Sequence, residues 1–224
     1  MESPTETKHG VALVKAARAG EIARVRALIA AKADLNARDE DGNTALIAAL
    51  CALKPDCAKA LIDAKADVNA VDRNGNSALI RIAMSGYIFY APLLLQAKAD
   101  VNAMSQTGET ALIIVTRFGQ TPGVKLLIDA KANVNARDNK EYTPLMMAAC
   151  NGYTAITQML LDAKADVRAA KQNGDNVLMQ AAWRGQTVCA RMLLDAKADV
   201  NCTNSHSDSA LISAAYGGHT ECAL

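Results

Sequence analysis

Histidine and cysteine are among the side chains that most often act as nucleophiles, proton carriers or metal ligands, and this 224-residue chain has few of them. The three histidines lie near its two ends: His9, His206 and His219. The six cysteines have no paired spacing typical of zinc sites: Cys51, Cys57, Cys150, Cys189, Cys202 and Cys222. A phosphate-binding loop and paired carboxylates are also missing from the sequence. We therefore predict no catalytic residues, no metal site, no cofactor and no enzyme activity, and we expect partly buried, reduced thiols.

The charge balance bears on the kind of partner. The chain has 24 basic and 23 acidic residues, a formal net charge of +1, and no strongly basic run. Binding to a phosphate backbone requires clustered lysine and arginine, so nucleic acid is not an expected ligand. No small-molecule substrate is expected either.

Hydropathy bears on location. No apolar stretch reaches the ~18 residues that a membrane-spanning helix needs. Residues 1–10 are too polar for a signal peptide. We expect no membrane insertion and an intracellular location, cytoplasmic first, with the nucleus left open.

A seven-residue phrase of the form AKADVNA recurs every 33 residues. Its fourth position is occupied by Asp34, Asp67, Asp100, Asn133, Asp166 and Asp199. A second phrase keeps the same spacing and begins at Thr44, Ser77, Thr110, Thr143, Asn176 and Ser209. A fixed period of this length is typical of an array whose units pack against their neighbours.

The period divides the chain into one N-terminal tail and one elongated repeat domain. The tail covers residues 1–7, and the domain covers residues 8–224. The repeats span residues 8–38, 39–71, 72–104, 105–137, 138–170, 171–203 and 204–224, the last being incomplete.

These phrases resemble the ankyrin repeat, in which a turn of the form Asp-x-x-Gly-x-Thr-Pro-Leu-His precedes two antiparallel helices and a Gly-Ala-Asp-Val-Asn segment. The resemblance implies an all-α solenoid of stacked helix-turn-helix units joined by β-turns. It also implies a protein-binding role, commonly as an adaptor, scaffold or inhibitor.

The chain departs from the family pattern at two recurring positions, each of them in six of the seven repeats. The family's histidine is replaced by Ile47, Ile80, Ile113, Met146, Met179 and Ile212. The glycine before Ala-Asp is replaced by Lys32, Lys65, Lys98, Lys131, Lys164 and Lys197. If the backbone there is left-handed, as the resemblance implies, each lysine costs ~1 kcal/mol relative to glycine.

Two repeats are expected to be irregular. Pro92 falls inside the second helix of repeat three, so we expect that helix to begin at Ala91 or Pro92, leaving residues 87–90 as an extended loop. Residues 113–116 of repeat four are β-branched, which predicts a poorly formed helix in the middle of the array.

Large side chains at positions that ankyrin-like repeats leave free to vary are candidates for binding. We predict a partner-binding surface on the concave face at Arg117, Phe118, Tyr142, Trp183, Arg184 and Tyr216. Aromatic residues and arginine dominate binding hot spots. The alternative is that each ring covers the neighbouring repeat.

A second candidate surface comprises Tyr87, Phe89 and Tyr90. Here the alternative is that the rings fill the space beside the shortened helix.

The sequence therefore predicts a non-catalytic protein–protein interaction module with a partner protein that the sequence does not identify. Two alternatives remain open. The repeats could be the targeting arm of a longer enzyme or channel whose active domain lies beyond residue 224, or a structural spacer without a specific ligand.

Overall fold

A hydroxyl or amide side chain begins the first helix of repeats two to seven. The computed structural model describes residues 4–223, and the side-chain surroundings of residues 9–221. The side-chain oxygens of these capping residues accept the amide of the residue three positions on, which satisfies a helix-terminal donor. The caps are Thr44, Ser77, Thr110, Thr143, Asn176 and Ser209.

The chain divides at Gln106 into two compact units, whose described residues are 4–106 and 107–223. The helices of the first unit are α1 (Pro4–Ala19), α2 (Ile22–Ala30), α3 (Ala45–Cys51), α4 (Pro55–Asp63), α5 (Ala78–Met84) and α6 (Ala91–Gln96). Helix α1 begins inside the segment that the sequence assigns to a tail, because proline is well suited to a first helical turn. Residues 1–3 of that tail lie outside the described residues, as does the side chain of Cys222.

The second unit contains four helix pairs. They are α7 (Ala111–Arg117), α8 (Thr121–Asp129), α9 (Pro144–Cys150), α10 (Thr154–Asp162), α11 (Val177–Trp183), α12 (Thr187–Asp195), α13 (Ala210–Tyr216) and α14 (Thr220–Ala223). First helices pack on first helices and second helices on second helices of the next repeat within this unit. Buried leucines join the repeats, among them Leu112, Leu127, Leu145, Leu160 and Leu193.

The all-α prediction is confirmed. The described part of the chain has no β-strand, only isolated bridges such as the one between Arg38 and Thr44. The left-handed lysines are also confirmed, with φ between 58° at Lys32 and 70° at Lys65.

Repeat three follows the prediction in one respect and departs from it in another. Helix α6 begins at Ala91, as expected from Pro92. The extended loop is wrong, because residues 88–90 form a turn of 3-10 helix. In this turn the amides of Tyr90 and Ala91 donate to the carbonyls of Tyr87 and Ile88, bonds that an extended segment would lack.

The prediction of a poorly formed helix in repeat four is also wrong. Helix α7 has seven residues, as α3, α5 and α9 do. Its β-branched residues 113–116 are all buried. Packing therefore outweighs the modest helix propensity of these side chains.

Candidate functional site

A groove opens in the second unit between the turns of repeats four and five and the ends of the first helices. We call it the turn groove; it has a volume of about 490 Å³. The residues that define it here are Glu109, Arg117, Lys140, Tyr142, Met147 and Arg184. Three of the six predicted binding residues, Arg117, Tyr142 and Arg184, therefore line one groove.

Arg117, the last residue of α7, forms one wall of the turn groove. Its guanidinium makes an ion pair with Glu109, and its Cζ lies 6.0 Å from the ring centroid of Phe118. The Arg117 carbonyl accepts a hydrogen bond from Tyr153 Oη at 3.4 Å. These contacts fix both the backbone and the head group of Arg117.

Tyr142 is held by the turn that carries it. Oδ1 of the buried Asp138 accepts the amides of Lys140 at 2.9 Å and Tyr142 at 2.8 Å. The ammonium of Lys171, from the next repeat, lies over the Tyr142 ring, with Nζ 3.3 Å from its centroid. The Tyr142 ring is thus held by contacts from repeats five and six. A ring that is already ordered loses little conformational entropy when a partner binds, which favours binding.

The other three predicted residues do not line the turn groove. Phe118, Trp183 and Tyr216 each lie at the end of a first helix and are 56%, 51% and 70% exposed. More than half of Trp183 and of its counterparts therefore contacts solvent and not a neighbouring repeat. They form a row of exposed rings at the ends of the first helices of repeats four, six and seven. Trp183 and Tyr216 occupy equivalent positions, and Phe118 lies one position later in its repeat.

The second candidate, in the first unit, is an aromatic cluster. The ring centroids of Phe89 and Tyr90 are 4.4 Å apart, and those of Tyr87 and Phe89 are 6.2 Å apart in an edge-on arrangement. Ile88 is the buried side chain of this segment, whereas Phe89 is 62% exposed. The idea that the Phe89 ring fills space beside α6 is therefore wrong.

Sequence reasoning missed Tyr153 and the two lysines at the groove, Lys140 and Lys171. A Cβ on Gly119, whose φ is 65°, would lie only 3.0 Å from Cζ of Tyr153, so this ring covers a glycine of the preceding repeat. Gln186 and His219 occupy the position of Tyr153 in the next two repeats. Gln186 covers Gly152, and His219 covers Gly185. Each of these side chains directly follows the glycine that ends the first helix of its own repeat. That recurring position in the sequence could have predicted the contact with the glycine of the preceding repeat.

The described thiols are Cys51, Cys57, Cys150, Cys189 and Cys202, and all five are free. Burial raises the pKa of Cys57 and of Cys189, which keeps both protonated at neutral pH. Cys202 is exposed, contrary to the expectation of partly buried thiols. Among the described residues no group of three or more His, Cys, Asp or Glu side chains could hold a metal ion.

The stacked helix pairs and their exposed turns and helix ends define a helical-repeat protein. The sequence model for ankyrin repeats (3 copies) matches residues 13–105, 91–171 and 163–224. The chain belongs to the ankyrin-repeat family, whose domains generally bind proteins and are typically non-catalytic.

A solved structure supports this assignment. The chain is similar to the ankyrin repeat domain of Bcl-3, described as a unique member of the IkappaB protein family, with 27% identity and a TM-score of 0.82. The match covers 90% of this chain and 92% of that one. A search of the curated proteins finds no match. No helix in residues 4–223 combines the length and apolar character that a membrane crossing requires.

Proposed function

We propose that this ankyrin-repeat domain is an adaptor, scaffold or inhibitor that binds a partner protein through the second unit. The binding residues are Arg117, Phe118, Tyr142, Trp183, Arg184 and Tyr216. The observation that carries the proposal is the row of three rings, each more than half exposed, at the ends of first helices.

The physical argument is that the fold does not require these rings. At the helix end that carries Trp183 and Tyr216, other repeats have smaller side chains such as Cys51 and Cys150. A large exposed ring leaves apolar surface in contact with water. A partner that covers this surface gains roughly 25 cal/mol of binding free energy for each Å² that it buries. Tryptophan, tyrosine and arginine are the residues enriched at binding hot spots.

Rigidity adds to the expected affinity. Trp183 ends a helix with the buried residues Ala181 and Ala182, Tyr216 ends one with the buried residues Ser213 and Ala214, and Arg117 is fixed by Glu109. Binding to such side chains costs less conformational entropy than ordering a flexible loop. The surface is therefore suited to a partner that docks on preformed helix ends.

The test is the affinity of a partner captured by the full chain. We expect the double variant Trp183→Ala, Tyr216→Ala to raise the Kd by about 30-fold or more, the loss typical of a hot-spot anchor of 2 kcal/mol. The matched control is Val188→Ala, Leu194→Ala, which truncates two exposed apolar side chains of α12 in the same unit.

The control variant should bind like the wild type. An unchanged Kd in the Trp183, Tyr216 variant, with loss of binding in Lys164→Ala, would place the interface elsewhere. Thermal melts of all variants would confirm that the helices remain folded.

A further inference from the structure

We infer that the turn groove takes an acidic segment of the partner protein, one that carries aspartate or glutamate beside an apolar side chain. The inference rests on the proposed function, because the groove contains three of the proposed binding residues. It deepens that function by naming the chemistry of the bound segment.

Three cations at the groove have no internal counter-charge. Lys140 and Arg184 line it and are exposed, and Lys171 lies beside it over the Tyr142 ring. Within the described part of the chain none of these three makes an ion pair. They are therefore available to carboxylates of a partner.

The carboxylates around the groove are engaged inside the unit. Glu109 pairs with Arg117, and Asp138 accepts two turn amides. Glu141 Oε2 accepts the amide of Gln172 at 2.7 Å. These bonds direct the carboxylate oxygens towards groups of the second unit itself, whereas the exposed side chains of Lys140 and Arg184 keep their charged groups open to a partner.

In repeat six, Asp175 is likewise engaged. Its Oδ1 accepts from the side-chain amide of Asn204 at 2.8 Å, and its Oδ2 accepts from that of Asn173 at 2.9 Å. This carboxylate is bound within its own turn and to the next one, so it does not pair with Lys171.

The groove also offers apolar surface between its charges. Met147, Cys150 and the ring of Tyr142 line it and are half-buried. An aliphatic side chain of the bound segment would cover these groups while flanking carboxylates reach Lys140 and Arg184. This combination favours an amphipathic acidic peptide over a purely anionic polymer.

Nucleic acid fits the groove less well. Glu109 and Asp138 are part of its lining, and a continuous phosphate backbone would lie against these carboxylates. Affinity for nucleic acid grows with the number of phosphates that lysine and arginine neutralise, and three cations can neutralise only a few phosphates. A peptide can instead place its carboxylates only where the cations are.

The experiment is a selection of random short peptides displayed on phage against three forms of the full chain. The forms are the wild type, the groove variant Lys140→Glu, Arg184→Glu, and a matched control, Lys125→Glu, Arg191→Glu. The control makes the same charge change at exposed positions of the second helices α8 and α12, away from the groove.

We expect peptides enriched on the wild type and on the control to contain an excess of aspartate and glutamate. The groove variant should lose that excess, and a synthetic peptide from the wild-type pool should bind it about 10-fold more weakly or worse. Binding to the wild type should also weaken with added salt, because exposed charges are screened.

Several results would overturn the inference. They are no enrichment on the wild type, enriched peptides without an acidic excess, or an excess that persists on the groove variant. Displacement of the acidic peptide by a homopolymeric RNA at lower concentration than by a polyglutamate competitor would assign the groove to nucleic acid instead.

The outcomes separate the two proposals. If a captured partner depends on Trp183 and Tyr216 but is unaffected by the groove variant, the acidic-segment inference fails and the proposed function stands. If acidic peptides bind the groove but Trp183→Ala, Tyr216→Ala leaves partner affinity unchanged, the row of rings is not the interface.

Discussion

The ammonium of Lys171 lies over the ring of Tyr142, with Nζ 3.3 Å from the ring centroid. Lys171 takes the place that other repeats give to a turn-forming side chain: Asp39, Asp72, Asp138 and Asn204. In those repeats the side-chain oxygen accepts two turn amides, as Asp138 Oδ1 does. Repeat six lacks this acceptor, and Asn173 Oδ1 accepts the amide of Asp175 instead at 3.1 Å. The side chain of Lys171 is thus released from its own turn to contact the neighbouring repeat.

The contact between Lys171 and Tyr142 should be measurable as a coupling energy. We expect a double-mutant cycle of Lys171→Met and Tyr142→Leu to give about 0.5–1 kcal/mol, the range of cation–π contacts near a surface. Urea unfolding of the wild type, both single variants and the double variant supplies the four free energies. Strictly additive effects would show that the two groups do not interact.

Thr116 is a polar residue in the row of buried residues that joins the first helices. Its hydroxyl is fully buried and has no hydrogen-bond partner among the described residues. Most other repeats have alanine at this position: Ala17, Ala83, Ala149, Ala182 and Ala215. We expect Thr116→Val to raise the free energy of unfolding by about 1 kcal/mol, because it removes a desolvated hydroxyl and keeps the shape.

Thr157 provides the matched control for Thr116. It is equally buried, but its Oγ1 lies 3.6 Å from Sγ of Cys189. Thr157→Val removes a partnered hydroxyl and should stabilise less than Thr116→Val, or destabilise. Denaturant midpoints that rank the two variants in the opposite order would contradict this account.

The 33-residue period predicted the features that depend on backbone and burial. The sequence predicted that Thr44 and its counterparts cap helices and that Lys32 and its counterparts have a left-handed backbone. Both predictions were possible because the same local geometry recurs along the array. Pro92 revealed the start of α6 for the same reason, since a missing amide donor acts locally.

The turn groove could not be predicted from the period, because it depends on where long side chains lie. Trp183 and Arg184 are sequence neighbours, yet of the two only Arg184 lines the groove. Lys171 became relevant through a contact with the preceding repeat, which a residue type alone does not specify. The prediction for residues 88–90 was wrong because Pro92 restricts the backbone next to it but does not determine whether residues 88–90 are extended or form a 3-10 turn.

Replacing a left-handed lysine with glycine should raise the stability of the protein. Lys164 has a φ of 65°, a conformation that glycine adopts without the cost of a Cβ. We expect Lys164→Gly to raise the free energy of unfolding by up to about 1 kcal/mol. Lys125→Gly, inside helix α8, should instead lower it by about 1 kcal/mol. Equal changes in the two variants, measured by urea unfolding, would contradict the argument from φ.

Asp39 predicts how the stability of the first unit depends on pH. Burial alone would raise the pKa of Asp39, but hydrogen bonds from the amide and side chain of Asn43, the charge of Arg18 and the amide of Asp41 hold it below its ordinary value of 3.8. The folded state therefore takes up this proton less readily than the unfolded state. The stabilisation is fully present above the ordinary pKa and is lost as the pH falls through the lowered, folded-state pKa.

We expect Asp39→Asn to lower the free energy of unfolding by about 1.5 kcal/mol at neutral pH, the typical worth of hydrogen bonds to a charged group. The difference from the wild type should shrink as the pH falls through the carboxyl range, because protonation removes the same charge from the wild type. Asp41→Asn is the matched control, since Asp41 is an exposed carboxylate of the same turn and should give a small difference at every pH. Urea unfolding across a pH series provides the measurement, and a pH-independent difference for Asp39→Asn would rule out the charge of Asp39 as its cause.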